Sequence, residues 1–203
     1  MTFSKIHQLL SNPLMYNFMR FTIGGNNVSK ILVKNYIRPS HGDKILDIGC
    51  GTGTILDFLP PVEYWGFDLN VDYIAFANAR FPHRGKFFCA KVSKDTIPEQ
   101  NMFDIVMACG IFHHLSDIEA MEMFELAHTV LKPGGRFITF DGVYTRDQSY
   151  IARLILSNDR GKFVRTEEQY LTIVQKYFAD VEVTIRSDLV WIPYTHVILE
   201  CGK

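Results

Sequence analysis

The sequence predicts an α/β fold, a mostly parallel, doubly wound sheet flanked by helices, and three observations support this. Short apolar runs alternate with longer amphipathic stretches along the 203 residues, as in successive βαβ units. The first apolar run passes directly into a glycine-rich turn. Hydrophobic residues make up 47% of the chain and charged residues 21%, a mix that is typical of a globular domain and excludes a disordered or collagen-like chain.

The apolar runs predict seven strands, and the amphipathic stretches between them predict five helices. The predicted strands are Lys44–Ile48, Glu63–Phe67, Lys86–Cys89, Phe103–Ala108, Arg136–Phe140, Val181–Arg186 and His196–Cys201. The predicted helices are Asn26–Ile37, Thr52–Leu59, Asn70–Arg80, Asp117–Leu131 and Thr166–Phe178. No helical stretch separates the last two strands, so we expect an antiparallel hairpin at the sheet edge.

Two segments fall outside this pattern, within what we expect to be a single domain over residues 1–203. Residues 1–25 predict a helical, aromatic-rich N-terminal cap that ends in Gly24-Gly25. Residues 142–165 form an insertion longer than a plain connection, which we interpret as a lid. Both are expected at the carboxyl ends of the strands, where open α/β sheets bind ligands.

The most specific local feature is the glycine loop after the first predicted strand. Glycines at positions 49, 51 and 53 follow Asp47, and they allow a tight turn and close approach to a ligand. A dinucleotide site uses GxGxxG, whereas the sixth position here is Thr54. The carboxylate of Asp47 would repel a pyrophosphate and attract a cation. Asp68, at the end of the second strand, is placed to accept both hydroxyls of a ribose.

Four motifs together resemble the class I S-adenosylmethionine-dependent methyltransferases, and the resemblance covers about residues 26–141. The motifs are ILDIGCGTG, GFDLN, FDIVMACGIFHHL and LKPGGRFITFDG. The resemblance implies a Rossmann-like sheet of seven strands in the order 3-2-1-4-5-7-6, with strand 7 antiparallel. It also implies S-adenosylmethionine as cofactor and methyl transfer as activity.

The resemblance also implies a set of cofactor-binding residues in the glycine loop and at the ends of strands two, three and four: Asp47, Gly49, Cys50, Gly51, Gly53, Asp68, Leu69, Lys91, Val92 and Cys109. Backbone groups of the loop would contact the methionine half, and Asp47 would lie near its ammonium. Asp68 would hold the ribose and Leu69 would pack on the adenine. Lys91 stands where family members usually carry an acid, so we expect adenine recognition from backbone groups near Lys91 and Val92, or from elsewhere, and Lys91 itself to face solvent.

His113 and His114 follow the fourth strand and are the candidate catalytic residues, with His114 favoured. A neutral imidazole can remove a proton from a hydroxyl or ammonium nucleophile. The alternative is that one or both cap the following helix or pack structurally. No metal site is expected, because the four cysteines lie far apart without CxxC spacing.

Four further residues are candidates for the substrate pocket. Tyr16 and Arg20 would close over the site from the N-terminal cap, Tyr144 follows the fifth strand, and His196 belongs to the final hairpin. Their alternative roles are ordinary packing and surface solvation.

We therefore expect a methyltransferase for a small-molecule acceptor, with O-methylation ahead of N- or C-methylation. No Asn/Asp-Pro-Pro-Tyr and no Pro-Cys follows the fourth strand, which disfavours amide or exocyclic-amine and cytosine-C5 methylation. One alternative is an RNA or protein methyltransferase that uses the basic N-terminal segment, since residues 1–44 carry six Lys/Arg against one acid. Another is a non-catalytic S-adenosylmethionine-binding module. A nicotinamide-dependent oxidoreductase is disfavoured by Asp47 and the glycine spacing.

Composition bounds the partners and the compartment. A net charge of −1 lacks the field that non-specific nucleic-acid binding requires, so no stable nucleic-acid partner is expected. No apolar run approaches the roughly 18 residues of a membrane-spanning helix, so no membrane partner is expected. We expect a reduced, cytoplasmic protein of undetermined oligomeric state.

Overall fold

The computed structural model describes residues 12–158 and 161–203, and within them eight strands form one mixed sheet. Strands β1 to β8 span Lys44–Ile48, Glu63–Asp68, Lys86–Cys89, Phe103–Cys109, Leu131–Tyr144, Arg165–Thr166, Asp180–Arg186 and His196–Gly202. The order is β3-β2-β1-β4-β5-β8-β7, with the short β6 paired to the end of β5. β8 runs antiparallel to both β5 and β7. The predicted fold class and strand order are confirmed.

Six α-helices accompany the sheet in the described part of the chain. Helices α1 to α6 span Pro13–Thr22, Gly25–Leu32, Val71–Arg80, Asp117–Val130, Tyr150–Ser157 and Glu167–Val174. Helix α2 continues into a π-helical turn at Val33–Ile37. Helix α4 begins with a capping box in which the Ser116 side chain accepts from the Glu119 N–H and the Glu119 carboxylate accepts from Ser116.

The predicted helix over Thr52–Leu59 is wrong, because this stretch forms only a 3-10 turn, Thr54–Asp57. Gly51 and Gly53 take positive φ values of 55° and 68°, so the chain enters the turn from a left-handed conformation instead of a helical one. Pro60 and Pro61 follow at once and prevent the turn from growing into a helix.

The inserted segment also differs in detail from the expectation of a plain lid. Its first residues extend β5 to Tyr144, and its last residue, Arg165, begins β6. Between them lies helix α5, capped by the Ser149 side chain. Of the predicted N-terminal cap, residues 1–11 lie outside the described residues, and the remainder includes α1.

The core consists of two apolar layers, one on each face of the sheet. Alternating side chains of each strand enter opposite layers. In β1, Ile45 packs with α2 and the 3-10 turn, whereas Leu46 and Ile48 pack with α4 and α6. Asp47 therefore projects toward the α2 side, at the carboxyl edge of the sheet. No helix in the described ranges is long and apolar enough to cross a bilayer.

We expect Phe124→Ala to lower the free energy of unfolding by about 3–5 kcal/mol. Phe124 is fully buried on α4 and packs against Phe112 and Phe137. Ile118→Ala on the same helix is the matched control, since this side chain is exposed and its loss should change stability by less than about 0.5 kcal/mol. Chemical denaturation of both variants is the measurement. Equal losses would show that α4 does not carry the core.

Candidate active site

The glycine loop is held to the neighbouring strand by its own backbone. The N–H groups of Gly49 and Cys50 both donate to the carbonyl oxygen of Phe67, at 2.7 and 3.0 Å. The Gly51 N–H donates to Asp68 Oδ2 at 2.9 Å. These three donors are therefore engaged within the protein.

Gly49 directly follows β1 and lies against Ile111, which follows β4. Its φ is 75°, and a Cβ at this position would lie 2.1 Å from Ile111 Cδ1. The side chain of Ile111 thus uses the space that only glycine leaves. Gly53 has the same role toward β3, since a Cβ there would lie 2.9 Å from the Phe87 ring.

Two cavities meet at Gly49, and between them they contain most of the predicted site residues. The inner cavity, about 240 Å³, includes in its wall Tyr16, Arg20, Asp47, Gly49, Cys50, Cys109 and His196. The outer cavity, about 330 Å³, includes in its wall Gly49, Asp68, Leu69, Lys91, Val92 and His114.

Asp47 is a buried carboxylate in the wall of the inner cavity. Its Oδ2 accepts a hydrogen bond of 2.5 Å from the hydroxyl of Tyr64. Burial raises the pKa of Asp47 to about 7; the Tyr64 hydrogen bond opposes this rise, and the charge of Asp68 adds to it. The ionised carboxylate is therefore costly at this position and favours a cationic ligand.

The thiols of Cys50 and Cys109 face the same cavity and do not supply a nucleophile. Burial is the main cause that raises the pKa of each thiol well above its usual range, and the negative charge of Asp47 adds to it. Both side chains stay protonated at neutral pH, and a protonated thiol is a poor nucleophile.

Helix α1 forms the side of the inner cavity opposite the sheet. The Tyr16 ring lies 5.0 Å from the ring of Tyr73, and Asn17 Oδ1 accepts from the Thr52 hydroxyl at 2.7 Å. Burial raises the pKa of Tyr16. These contacts hold α1 across the glycine loop.

Arg20 uses its guanidinium to join α1 to α2. It donates to the Gly25 carbonyl and to Asn26 Oδ1, each at 3.1 Å, and to the Ser29 hydroxyl. Burial lowers the pKa of Arg20, although the group remains a cation. The positive charge of Arg20 thus lies in the cavity wall, while its N–H groups donate to other residues of the protein.

The outer cavity surrounds Asp68 and Leu69. Asp68 Oδ2 accepts from the Gly51 N–H, and its Oδ1 accepts from the Asn70 N–H at 2.8 Å. This fixes both carboxylate oxygens at the end of β2. Leu69 and Lys91 are exposed, and Val92 is buried. Lys91 faces solvent at the cavity edge, where its charge helps lower the pKa of Glu119 beyond the effect of the Ser116 hydrogen bonds.

The two histidines form a 3-10 turn with Phe112, but they occupy different environments. His113 is buried, and both its Nδ1 and its backbone N–H contact Asp141 Oδ1, at 2.6 and 3.2 Å. His114 is exposed in the wall of the outer cavity, with its ring 4.0 Å from that of His113. Neither is the cap of α4, which is Ser116.

Arg165 fixes this histidine turn from the β6 side. Its guanidinium donates to the carbonyls of Phe112 and Leu115 at 2.8 and 2.7 Å, and to Asp117 Oδ1 at 2.8 and 3.0 Å. The side chain is buried. A buried Arg with all these acceptors holds the backbone on both sides of the two histidines.

The remaining two substrate candidates are separated by the fold. His196 lines the inner cavity, with its ring stacked 4.4 Å from that of Phe140. Tyr144 lies instead in a third, open cavity, where the guanidinium of Arg153 packs 5.2 Å from its ring. The extension of β5 carries Tyr144 away from the glycine loop.

Sequence reasoning missed three residues that position this site: Tyr64, Asp141 and Arg165. Tyr64 lies on the same sheet face as Asp47, and Gly66 opposite Asp47 leaves the space that Tyr64 and Cys50 use. The alternation of side chains between the two faces of β1 and β2 could therefore have indicated that Tyr64 lies near Asp47. Arg165 gave none, because it contacts the turn across about 50 residues of chain. Among the described residues, no group of three or more His, Cys, Asp or Glu is placed to hold a metal.

Residues 46–137 match the family model described as a methyltransferase domain. This part of the chain, 92 of its 203 residues, is therefore similar to methyltransferase domains. The resemblance seen in the four motifs is thereby confirmed, and domains of this class use S-adenosylmethionine.

Two curated relatives are similar to this chain over part of their own length. The chain is 28% identical over 192 residues to a phosphoethanolamine N-methyltransferase of Triticum aestivum, covering 91% of this chain and 37% of that protein. It is 33% identical over 105 residues to a fatty-acid O-methyltransferase of Mycolicibacterium smegmatis, covering 49% and 37%. This chain thus spans well under half the length of these curated relatives.

A solved structure shows the same fold. Phosphoethanolamine N-methyltransferase 2 of Haemonchus contortus, in complex with S-adenosyl-L-methionine, superposes with a TM-score of 0.69 at 20% identity. The match covers 90% of this chain and 53% of that one.

We expect Asp47→Asn to stabilise the protein at about pH 8 and to leave its stability unchanged at about pH 4. The raised pKa of Asp47 means that the folded state favours the protonated form. That contribution to stability is present below the ordinary Asp pKa and is lost as the pH rises to about 7. Asp95→Asn is the control, since Asp95 is exposed. Melting temperatures across this range test the difference, and a gain that is independent of pH would contradict it.

Proposed function

We propose that this protein transfers the methyl group of S-adenosylmethionine to an oxygen atom of a small-molecule acceptor. The observation that carries the proposal is the pair of cavities joined at Gly49, each with one fixed carboxylate. Asp68 supports a nucleoside in the outer cavity, and Asp47 supports a cationic amino-acid end in the inner cavity.

The charges of this site fit such a cofactor. Among the described residues, neither Asp47 nor Asp68 forms an ion pair with Lys, Arg or His. Two uncompensated carboxylates 21 positions apart meet at one edge of the sheet, and a ligand with ammonium and sulfonium charges would offset their repulsion. When bound, the cofactor supplies an electrophilic methyl group on its sulfonium.

The inner cavity favours a small acceptor with an apolar body. Apolar side chains from α2, β5 and the β7–β8 loop form much of its wall: Val28, Leu32, Phe140 and Val190. Arg20 and His196 add polar groups. Such a wall orients the acceptor and excludes water, which in-line displacement requires.

His114 is the group that we propose removes the acceptor proton. It lines the outer cavity together with Ile111 and Gly49, and Gly49 also lines the inner cavity. The neighbouring ring of His113 is held by Asp141, and the turn is held by Arg165. A neutral imidazole can accept a hydroxyl proton as the oxygen–carbon bond forms.

A nitrogen acceptor is the second candidate. It is favoured by the likeness to the wheat phosphoethanolamine N-methyltransferase, which extends over 91% of this chain. The same residues would bind the cofactor, and His114 would be needed only if the amine arrived protonated. Labelled methyl transfer to panels of hydroxylated and amine-bearing small molecules distinguishes the two.

We expect S-adenosylhomocysteine to raise the melting temperature of the protein and NADH to leave it unchanged. Asp68→Asn should weaken S-adenosylhomocysteine about tenfold or more, because a charge-assisted hydrogen bond contributes about 1.5–3 kcal/mol. Asp72→Asn, an exposed acid in the next helix, is the control and should bind normally. Calorimetry measures both. Stabilisation by NADH instead would refute the cofactor.

We expect His114→Gln to lower kcat about 10²-fold or more with the acceptor that the labelling screen identifies, at unchanged affinity for S-adenosylhomocysteine. The exposed His41 supplies the matched control, His41→Gln. Steady-state kinetics and calorimetry separate the two effects. A hydroxylated acceptor methylated at the wild-type rate by His114→Gln would remove the base role, and a loss of cofactor affinity would reassign His114 to binding.

A further inference from the structure

The outward face of α1 is a feature that methyl transfer does not use. Helical geometry places residues i, i+4 and i+7 on one face. The residues that line the inner cavity from α1 and its last turn follow this spacing: Tyr16, Arg20 and Ile23. Three apolar side chains with the same spacing form a second face, about 200° around the helix from the first. They are Leu14, Phe18 and Phe21, which are 69%, 62% and 61% exposed.

This orientation is unusual for a surface helix, which normally shows its polar side to water. The loop between β7 and β8 enlarges the exposed apolar area. The backbone N–H of Trp191 donates to the Ile23 carbonyl at 3.2 Å. The indole of Trp191 lies against Gly24, and the side chain is 75% exposed. We call Leu14, Phe18, Phe21 and Trp191 the apolar rim.

The charges of the same part of the molecule are positive. Residues 12–42 contain Arg20, Lys30, Lys34 and Arg38, and no Asp or Glu. Lys30 and Lys34 are exposed. Three acids of neighbouring elements are paired with arginine, namely Asp57 with Arg80, Asp188 with Arg186 and Glu200 with Arg38. Asp72 on the adjacent α3 is exposed.

We propose that the apolar rim inserts into the surface of a bilayer that contains anionic lipids. Exposed aromatic and aliphatic side chains in a segment whose charged residues are all basic complement the interface of such a bilayer. A second copy of the chain is a poorer partner, because it would bring a like-charged segment against this one. The expectation of no membrane partner rested on the absence of an apolar run that can span a bilayer, and a helix that lies on the surface needs no such run.

The rim and the inner cavity lie on opposite faces of the same ten-residue helix. The inference does not depend on the proposed function, because binding to vesicles is measured without cofactor or acceptor.

The test is co-sedimentation of the full chain with vesicles of phosphatidylcholine, with and without phosphatidylglycerol. We expect binding to the mixed vesicles that weakens as salt is added. Phe18→Ser and Phe21→Ser should each weaken it about tenfold, and Lys30→Gln and Lys34→Gln about fivefold each. Ile118→Ser is the matched control, with a side chain 68% exposed on α4, which packs on the opposite face of the sheet. Unchanged melting temperatures show that each variant is folded.

Several results would overturn the proposal. They are no sedimentation with mixed vesicles, an equal loss in Ile118→Ser, or binding that is indifferent to phosphatidylglycerol and salt. Sedimentation velocity supplies a further one: a dimer that Phe18→Ser separates, in a protein that ignores vesicles, would assign the rim to a second copy. Binding lost on removal of residues 1–11 but kept in Phe18→Ser and Phe21→Ser would assign it to that segment.

Discussion

Two hydrogen bonds from the glycine loop to the carbonyl of Phe67 are the constraint on which the rest of the site depends. They hold the end of β1 against the end of β2, so that Gly51 reaches Asp68 and Gly49 faces Ile111. With the loop in this position, a left-handed backbone is required where glycine stands. Gly49 lines both cavities, and the Ile111 side chain fills the space beside it that a Cβ would need.

The site carries charge that the protein does not neutralise by itself. Asp47 is buried with only a tyrosine hydroxyl as its polar partner among the described residues, and Asp68 is tied to backbone N–H groups. A stable fold would ordinarily avoid such an arrangement. Its cost is consistent with a site that is completed by a cationic ligand. The two histidines also differ in their surroundings. The carboxylate of Asp141 fixes the buried His113, whereas His114 faces the outer cavity.

Helix α1 has two faces with different surroundings. One face contacts the glycine loop and the inner cavity through Tyr16 and Arg20, and the other exposes Leu14, Phe18 and Phe21 to the outside. Exposure of these apolar side chains to water is unfavourable. The sequence of the helix does not identify the partner that covers them. Only the burial of each residue in the tertiary structure separates the two faces, because both carry aromatic side chains.

The sequence by itself determined the fold class and the loop of glycines, since periodicity and local motifs encode them, and its resemblance to the class I methyltransferases implied the strand order. It also placed Asp47 and Asp68 at one edge of the sheet, because parallel strands end together there. The helix predicted after Gly53 was wrong, because the left-handed backbone of the glycines and the two following prolines limit this stretch to a 3-10 turn. Only the tertiary structure decided that Tyr64 bonds Asp47, that Arg165 holds the histidine turn and that β5 carries Tyr144 away. Those contacts join residues far apart in the chain, and no local pattern specifies which distant side chain completes them.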